Sequence, residues 1–320
     1  MVEKEKQVFE KRNFYTEDDS GKVYILSLIT PILTSLIIFM ICSSISAMAG
    51  LDPAETTEQV WFVALSSVFT TLTFLAIYFI YNKKFKISYN TARFDFKISW
   101  QNYLLAIFIG VIALFGLQNF VNLFDELWAL IGYQLRGTSL PTNTIGYLFL
   151  NIFVTASAPA ICEEIVFRGM ILNGLRSKFK DSVSIVLSAL MFALMHGNLQ
   201  QLVYPFLFGM CLALIYMRTG SIISCMIAHF TNNFLVILFS YLGQKTGFSM
   251  ILPTTWWGIL LSILLAVIVF ILIFVIDKFY FKHHNNYDVP SNTNKTSLFL
   301  WVSLGVATFL FIFNLIYSLV

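Results

Sequence analysis

Nine long apolar runs dominate this chain of 320 residues. A helix of about 20 apolar residues spans the hydrocarbon core of a bilayer, because a helix satisfies its own backbone hydrogen bonds. The runs therefore predict an all-α fold, a polytopic membrane helical bundle of about eight or nine transmembrane helices. By position they lie at about 24–49, 60–81, 100–121, 144–168, 183–197, 202–217, 222–242, 256–276 and 297–319.

The composition agrees with this fold class. Hydrophobic residues make up 58% of the chain and charged residues only 12%, whereas charged residues make up about a quarter of a soluble protein. No stretch of the sequence resembles a second, soluble domain. This composition indicates that the lipid bilayer surrounds the protein. No basic patch with interleaved aromatic residues indicates binding to nucleic acid.

The distribution of Lys and Arg predicts the orientation. With a cytosolic N-terminus and nine crossings, all but two of the 20 Lys and Arg residues, Arg136 and Lys245, fall in cytosolic segments, as the positive-inside rule requires. We therefore expect a multi-pass protein of the cell membrane with its N-terminus in the cytosol. The first run ends in a sequence similar to a signal-peptidase site, but its long, acidic leader favours a retained helix.

Three polar clusters interrupt the apolar runs in the middle of the chain. Ionisable side chains at bilayer depth cost about 2.5–3.5 kcal/mol for the worst types, so their presence indicates a functional site. Each cluster contains groups that can carry charge or form strong hydrogen bonds. The members are Glu163, Glu164 and Arg168 in the fourth run, His196 at the end of the fifth, and His229 and Asn233 in the seventh.

The three clusters are expected at similar depth in the membrane. Glu163, His196 and His229 lie roughly 20, 21 and 12 Å along their helices from the predicted cytosolic ends, at about 1.5 Å of rise per residue. Helices that adjoin in sequence are usually neighbours in space. The clusters therefore predict one shared intramembrane site.

The two adjacent glutamates cannot both face the same partner, because neighbouring helical residues point about 100° apart. Glu164 and Arg168 are four residues apart and can pair on one helix face. Glu163 is then free to face the histidines, where it could act as a general base that activates water. Alternatively, the Glu–Arg group only locks the packing of helices.

The histidines within the apolar runs are His196 and His229. Asn233 follows His229 by four residues and lies on the same helix face. An imidazole N–H and an amide aimed at one point would form an oxyanion hole. Asn232 is expected to face elsewhere in a structural role. An intramembrane histidine can also serve only as an interhelical hydrogen-bonding group.

The same residue types could bind a metal ion. Glu163, His196 and His229 would form the two-His, one-Glu set of some catalytic zinc sites. The helical motif His-Glu-x-x-His is absent from the sequence, so zinc and metal-free activation of water both stay open. A thiolate nucleophile at Cys162 is a further alternative, which its apolar surroundings disfavour.

The three clusters resemble the motifs of the CPBP family, also called Abi, which contains CAAX prenyl-protein endoproteases and bacteriocin-processing enzymes. The motifs extend over about a quarter of the chain and show no departure from the family's pattern. They are Glu163-Glu164-x-x-x-Arg168, Phe192-x-x-x-His196 and His229-x-x-x-Asn233.

This resemblance implies a multi-helix intramembrane endopeptidase whose site opens toward the cytosol. In the family's pattern the first Glu and the first His activate the attacking water, a role that falls on Glu163 and His196. The second His and the Asn hold the oxyanion, a role that falls on His229 and Asn233. The second Glu and the Arg of the first motif support them. The family has been described both as metalloproteases and as metal-free glutamate proteases.

On this basis the chain divides into four parts. The middle part carries the predicted catalytic core, and membrane helices flank it on both sides. The parts are a cytosolic tail at 1–23, N-terminal transmembrane helices at 24–143, the CPBP core at 144–242 and C-terminal transmembrane helices at 243–320.

The expected substrate is a peptide or a membrane protein. We favour a role in bacterial peptide or bacteriocin processing, self-immunity or signalling over the cleavage of prenylated proteins, since CAAX is a eukaryotic lipidation signal. A second hypothesis is a non-catalytic immunity or scaffold protein that binds partner helices. Proton-coupled transport is a third, but the sequence shows no inverted repeat that would favour it.

Overall fold

The protein folds as a helical bundle, with nine apolar helices in the described part of the chain. The computed structural model describes residues 11–50, 52, 55, 58–133, 140–247, 249, 255–276, 278 and 296–319. Within these ranges the ordered elements are helices, with no β-strand. They are α1 (Glu17–Met48), α2 (Val60–Lys84), α3 (Trp100–Leu130), α4 (Ile145–Arg176), α5 (Asp181–Met195), α6 (Gln200–Thr219), α7 (Ile222–Thr246), α8 (Trp256–Val275) and α9 (Leu298–Leu319).

The length of these helices confirms the predicted fold class. Among the described residues, eight helices are long and apolar enough to cross a membrane, and α5, with 15 residues, is shorter. Large apolar side chains such as Ile80, Leu104 and Phe309 are exposed on the outside of the bundle, as expected where helices face lipid. Arg136, one of the two exceptions to the charge pattern, lies outside the described residues.

Helix α1 begins earlier than its apolar run, so part of the predicted tail is helical. Thr16 caps the helix, because its hydroxyl accepts from the Asp19 backbone N–H at 3.3 Å and the Asp19 carboxylate accepts from the Thr16 N–H at 2.7 Å. Asp19 also accepts from Tyr81 of α2 at 2.7 Å. This capping box starts the helix in a polar stretch that hydrophobicity alone assigned to the tail.

Helix α4 is the central element of the bundle and packs against α1, α2, α5, α6 and α7. It contains two π-helical segments, Ile152–Ser157 and Phe167–Leu172, on either side of the α-helical segment Ala158–Val166. Such local widenings of a helix frequently occur at functional sites. The two adjacent glutamates lie between them.

Helices α3 and α7 approach each other closely because Gly110 has no side chain. A Cβ atom at this position would lie 2.6 Å from the carbonyl oxygen of Ala228. Small residues allow such close approach between membrane helices. The contact fixes α7 against α3 one residue before His229.

Candidate active site

One cavity of about 580 Å³ lies between α3, α4, α6 and α7, next to the end of α5. Glu163, His196, His229 and Asn233 all border it. The structure therefore brings together the four side chains that the motifs predicted to share a site. Their chemical roles stay predictions, since position alone does not establish turnover.

Glu164 connects α4 to α7 through a fully buried carboxylate. Its Oε1 accepts from Arg168 Nη1 at 2.9 Å and from His229 Nδ1 at 2.8 Å. The side chains of Glu164 and Arg168 are both 0% exposed. The pair four residues apart is present as expected, but the contact with His229 was not expected, because Glu164 had been placed on a face away from the histidines.

Arg168 has two further partners that hold its charge inside the bundle. Nη2 donates to the carbonyl oxygen of Gly209 on α6 at 3.2 Å, and the guanidinium lies 4.6 Å from the centre of the Phe192 ring. A carboxylate, a carbonyl and an aromatic face together compensate for the lost hydration of the guanidinium. Arg168 thus joins α4, α5 and α6 behind the cavity.

Phe192 lies in contact with both histidines. Its ring centre is 5.0 Å from that of His196 and 6.0 Å from that of His229, in edge-on geometry. His196 Nδ1 lies 2.8 Å from the Phe192 carbonyl oxygen. A carbonyl can only accept, so this bond places a proton on Nδ1 of His196 and leaves Nε2 of the neutral ring with its lone pair.

The imidazole of His229 faces a charged acceptor, whereas that of His196 faces a neutral carbonyl. His229 Nδ1 faces the Glu164 carboxylate at 2.8 Å, so Nδ1 is the donor in this bond. Nε2 is then the ring nitrogen that remains for a ligand in the cavity.

Asn233 is anchored on α4 by the backbone carbonyl of Thr155, one turn before Pro159. Its Nδ2 donates to the Thr155 carbonyl oxygen at 3.0 Å. In a regular α-helix that oxygen would accept from the N–H of residue 159, but Pro159 has none. One amide proton of Asn233 is therefore committed to α4, and the second remains for a ligand.

The expectation that Asn232 faces away from the site is wrong. Asn232 borders the cavity, and it accepts from the hydroxyl of Tyr204 on α6 and donates to Asn233 Oδ1 at 3.3 Å. Adjacent residues of a helix point about 100° apart, but the cavity is wide enough for both Asn232 and Asn233 to border it. Tyr204 and Thr155 carried no sequence signal of their own, although Pro159 four residues after Thr155 could have indicated a free carbonyl.

Glu163, His196 and His229 were also considered as zinc ligands. Among the described residues, no group of three His, Cys, Asp or Glu side chains is close enough together to hold a metal ion. The Nδ1 atoms of both histidines are already bound to a carbonyl and a carboxylate. No step of the mechanism below depends on a metal.

The fold and the site together define a class: a multi-pass helical membrane protein with a buried Glu–Arg–His cluster beside a polar cavity. Residues 145–235 match the family model described as "Type II CAAX prenyl endopeptidase Rce1-like". This match contains all six predicted site residues and confirms the resemblance to the CPBP family.

A curated protein of Bacillus subtilis (strain 168), named "Putative membrane peptidase YdiL", is also similar to this chain. The two are 29% identical over 122 residues, which cover 36% of this chain and 50% of the relative. The chain thus spans about half the length of the curated relative it matches. No solved structure matches the chain.

Proposed function

We propose that the protein is an intramembrane endopeptidase that hydrolyses peptide bonds at or within the membrane. The observation that carries this proposal is that Glu163, His196, His229 and Asn233 border a single cavity among apolar helices. The match of residues 145–235 to an endopeptidase family supports the same reaction class. The substrate is a peptide or a membrane protein, in a bacterial processing, self-immunity or signalling role.

Glu163 and His196 activate the attacking water. The water oxygen adds to the carbonyl carbon of the scissile bond while the Glu163 carboxylate takes one of its protons. Nε2 of His196, whose lone pair is free because Nδ1 is bound to Phe192, accepts a hydrogen bond from the same water. The proton held by Glu163 passes to the departing amine as the C–N bond breaks.

His229 and Asn233 stabilise the tetrahedral intermediate. A protonated His229 donates Nδ1–H to Glu164 and offers Nε2–H to the oxyanion. The second Nδ2 proton of Asn233 is the other donor, and the bond to Thr155 fixes its direction before substrate arrives. Preorganised donors of this kind lower the barrier more than mobile ones, because no reorganisation is needed as charge develops.

The direct test is to incubate the purified protein in detergent with a panel of membrane-inserting peptides. Hydrolysis in oxygen-18 water places one heavy oxygen in the new C-terminal carboxylate, which mass spectrometry detects. We expect cleavage to persist after treatment with a chelator. Loss of cleavage on chelation with rescue by zinc would replace this mechanism by a metal-dependent one, and intact peptides throughout would contradict the proposed function.

Replacing Asn233 by Ala is expected to lower kcat about 100-fold with little change in KM, because the lost donor acts mainly on the transition state. The measurement is initial rate against the concentration of a cleaved peptide. Gln244→Ala is the control, since Gln244 lies on the same helix but outside the cavity lining. An Asn233→Ala enzyme that keeps wild-type kcat would remove Asn233 from the oxyanion hole.

Replacing Pro159 by Ala is expected to lower kcat about tenfold while thermal stability stays equal or rises. The new N–H at position 159 competes with Asn233 for the Thr155 carbonyl, so the amide loses its anchor. The measurements are kcat and the melting temperature in detergent. Pro31→Ala in α1 is the control, because Pro31 also lies inside a helix but away from the cavity; equal kcat in both variants would argue against this anchor.

A further inference from the structure

Helix α3 brings a second group of polar side chains to the cavity. Gln118 and Asp125 both border it, together with Val121. These residues belong to none of the three motifs, and the mechanism above uses neither of them. Seven residues make about two helical turns, so the two polar side chains lie on one face of α3.

Two buried polar atoms on this part of α3 lack protein partners. Asp125 Oδ1 is buried and has no hydrogen-bond partner among the described residues, and the same holds for Asn122 Nδ2. Gln118 Nε2 donates to Asn122 Oδ1 at 3.0 Å, which fixes the amide of Gln118. A buried carboxylate oxygen without a donor is costly, so a ligand that supplies the donor would be bound favourably.

The charge of the cavity indicates the kind of donor. Its described lining contains the carboxylates of Asp125 and Glu163 but no Lys or Arg. His229 also borders the cavity, but its imidazole is paired with the Glu164 carboxylate. Arg168 does not compensate for Asp125, because its guanidinium is bound to Glu164 and Gly209. The cavity therefore favours a cationic group over a neutral or anionic one.

We propose that Asp125 binds a Lys or Arg side chain of the peptide substrate, and that Gln118 binds the substrate backbone next to it. This inference rests on the proposed endopeptidase function and adds the substrate class: an apolar peptide segment with a basic residue close to the scissile bond. Two turns of α3 span about 10 Å, the length of about three residues of extended peptide. The basic residue lies within a few positions of the cleaved bond, because Asp125 and Glu163 border the same cavity.

Binding to the full-length protein in detergent tests this assignment without requiring turnover. The probes are three fluorescent apolar peptides that differ only in a central Lys, norleucine or Glu. We expect the Lys peptide to bind the wild type at least about tenfold more tightly than the norleucine peptide. Asp125→Asn should abolish this difference, and Asp125→Lys should shift the preference to the Glu peptide.

Glu126→Gln provides a matched control. Glu126 is the next acidic residue on α3, but it is exposed and does not border the cavity, so its variant should keep the preference for Lys. Equal affinity of the wild type for all three peptides would overturn the assignment. So would a preference for Lys that persists in Asp125→Asn.

Cleavage kinetics separate this assignment from the proposed function. For a cleaved peptide with Lys near the scissile bond, Asp125→Asn should raise KM about tenfold or more with little effect on kcat. Cleavage that ignores the basic residue would overturn the role of Asp125 and leave the endopeptidase function standing. Selective binding of the Lys peptide without any cleavage would contradict the endopeptidase function and keep Asp125 as a binding residue.

Discussion

Replacing Glu163 by Gln is expected to reduce kcat about 10³-fold, within the range that a positioned general base contributes. The amide is almost the same size as the carboxylate, but it cannot take a proton from the attacking water. Glu164 cannot substitute for it, because Glu164 does not border the cavity and its Oε1 is bound to Arg168 and His229. The measurement is the initial rate of peptide cleavage, with the melting temperature recorded beside it to show that the variant is folded.

The matched control for this variant is Glu126→Gln, which makes the same chemical change at an exposed position outside the cavity. Its activity should equal that of the wild type. Full activity in Glu163→Gln would remove Glu163 from the role of water activator. A cellular function that survives in a Glu163→Gln, His196→Gln double variant would instead support the scaffold hypothesis.

The membrane helices could be predicted from the sequence, because a transmembrane helix is recognised from the hydrophobicity of its own residues alone. It also predicted one shared site for Glu163, His196 and His229, because adjoining helices of similar depth are neighbours, and all three border one cavity. The contact between His229 and Glu164 could not be predicted this way. Which of two adjacent carboxylates faces α7 depends on the rotation of α4, and spacing within one helix does not fix that rotation.

The end of α3 shows a second limit of hydrophobicity. The apolar run predicted a helix that ends near position 121, whereas α3 continues to Leu130. The added turns contain Asn122 and Asp125, which polarity alone would place in a loop. They remain helical because Asn122 accepts from Gln118 one turn earlier and Asp125 borders a polar cavity rather than lipid. Asp125 of the candidate substrate site was therefore outside the predicted helix, whereas Gln118 was inside it.

The π-helical segments of α4 are a third feature that residue patterns did not predict. The order of their side chains does not distinguish the i→i+5 hydrogen bonds of a π-helix from the i→i+4 bonds of an α-helix. Pro159 is a local cause that can be recognised afterwards, since it removes one donor next to the segment Ile152–Ser157. The consequence is functional in our proposal, because the Thr155 carbonyl of this segment holds Asn233.

Replacing Arg168 by Met is expected to destabilise the protein by about 3–5 kcal/mol, the usual cost of leaving one member of a buried ion pair without its partner. Both side chains of the pair are 0% exposed, so water cannot take over the role of the guanidinium. The measurement is the shift in unfolding midpoint in detergent. Lys22→Met is the matched control, because Lys22 and Asp18 are also four residues apart but are 31% and 39% exposed, where a pair contributes about 1 kcal/mol or less.

A Glu164→Gln, Arg168→Met double variant separates the structural from the catalytic role of the pair. Removing both charges should restore much of the lost stability, since an apolar replacement of a buried ion pair is often tolerated. Catalysis should not return, because the amide that replaces Glu164 has no negative charge and accepts the His229 Nδ1–H bond more weakly than the carboxylate does. If the double variant recovered both stability and kcat, Glu164 would serve only helix packing, and the oxyanion role of His229 would not depend on it.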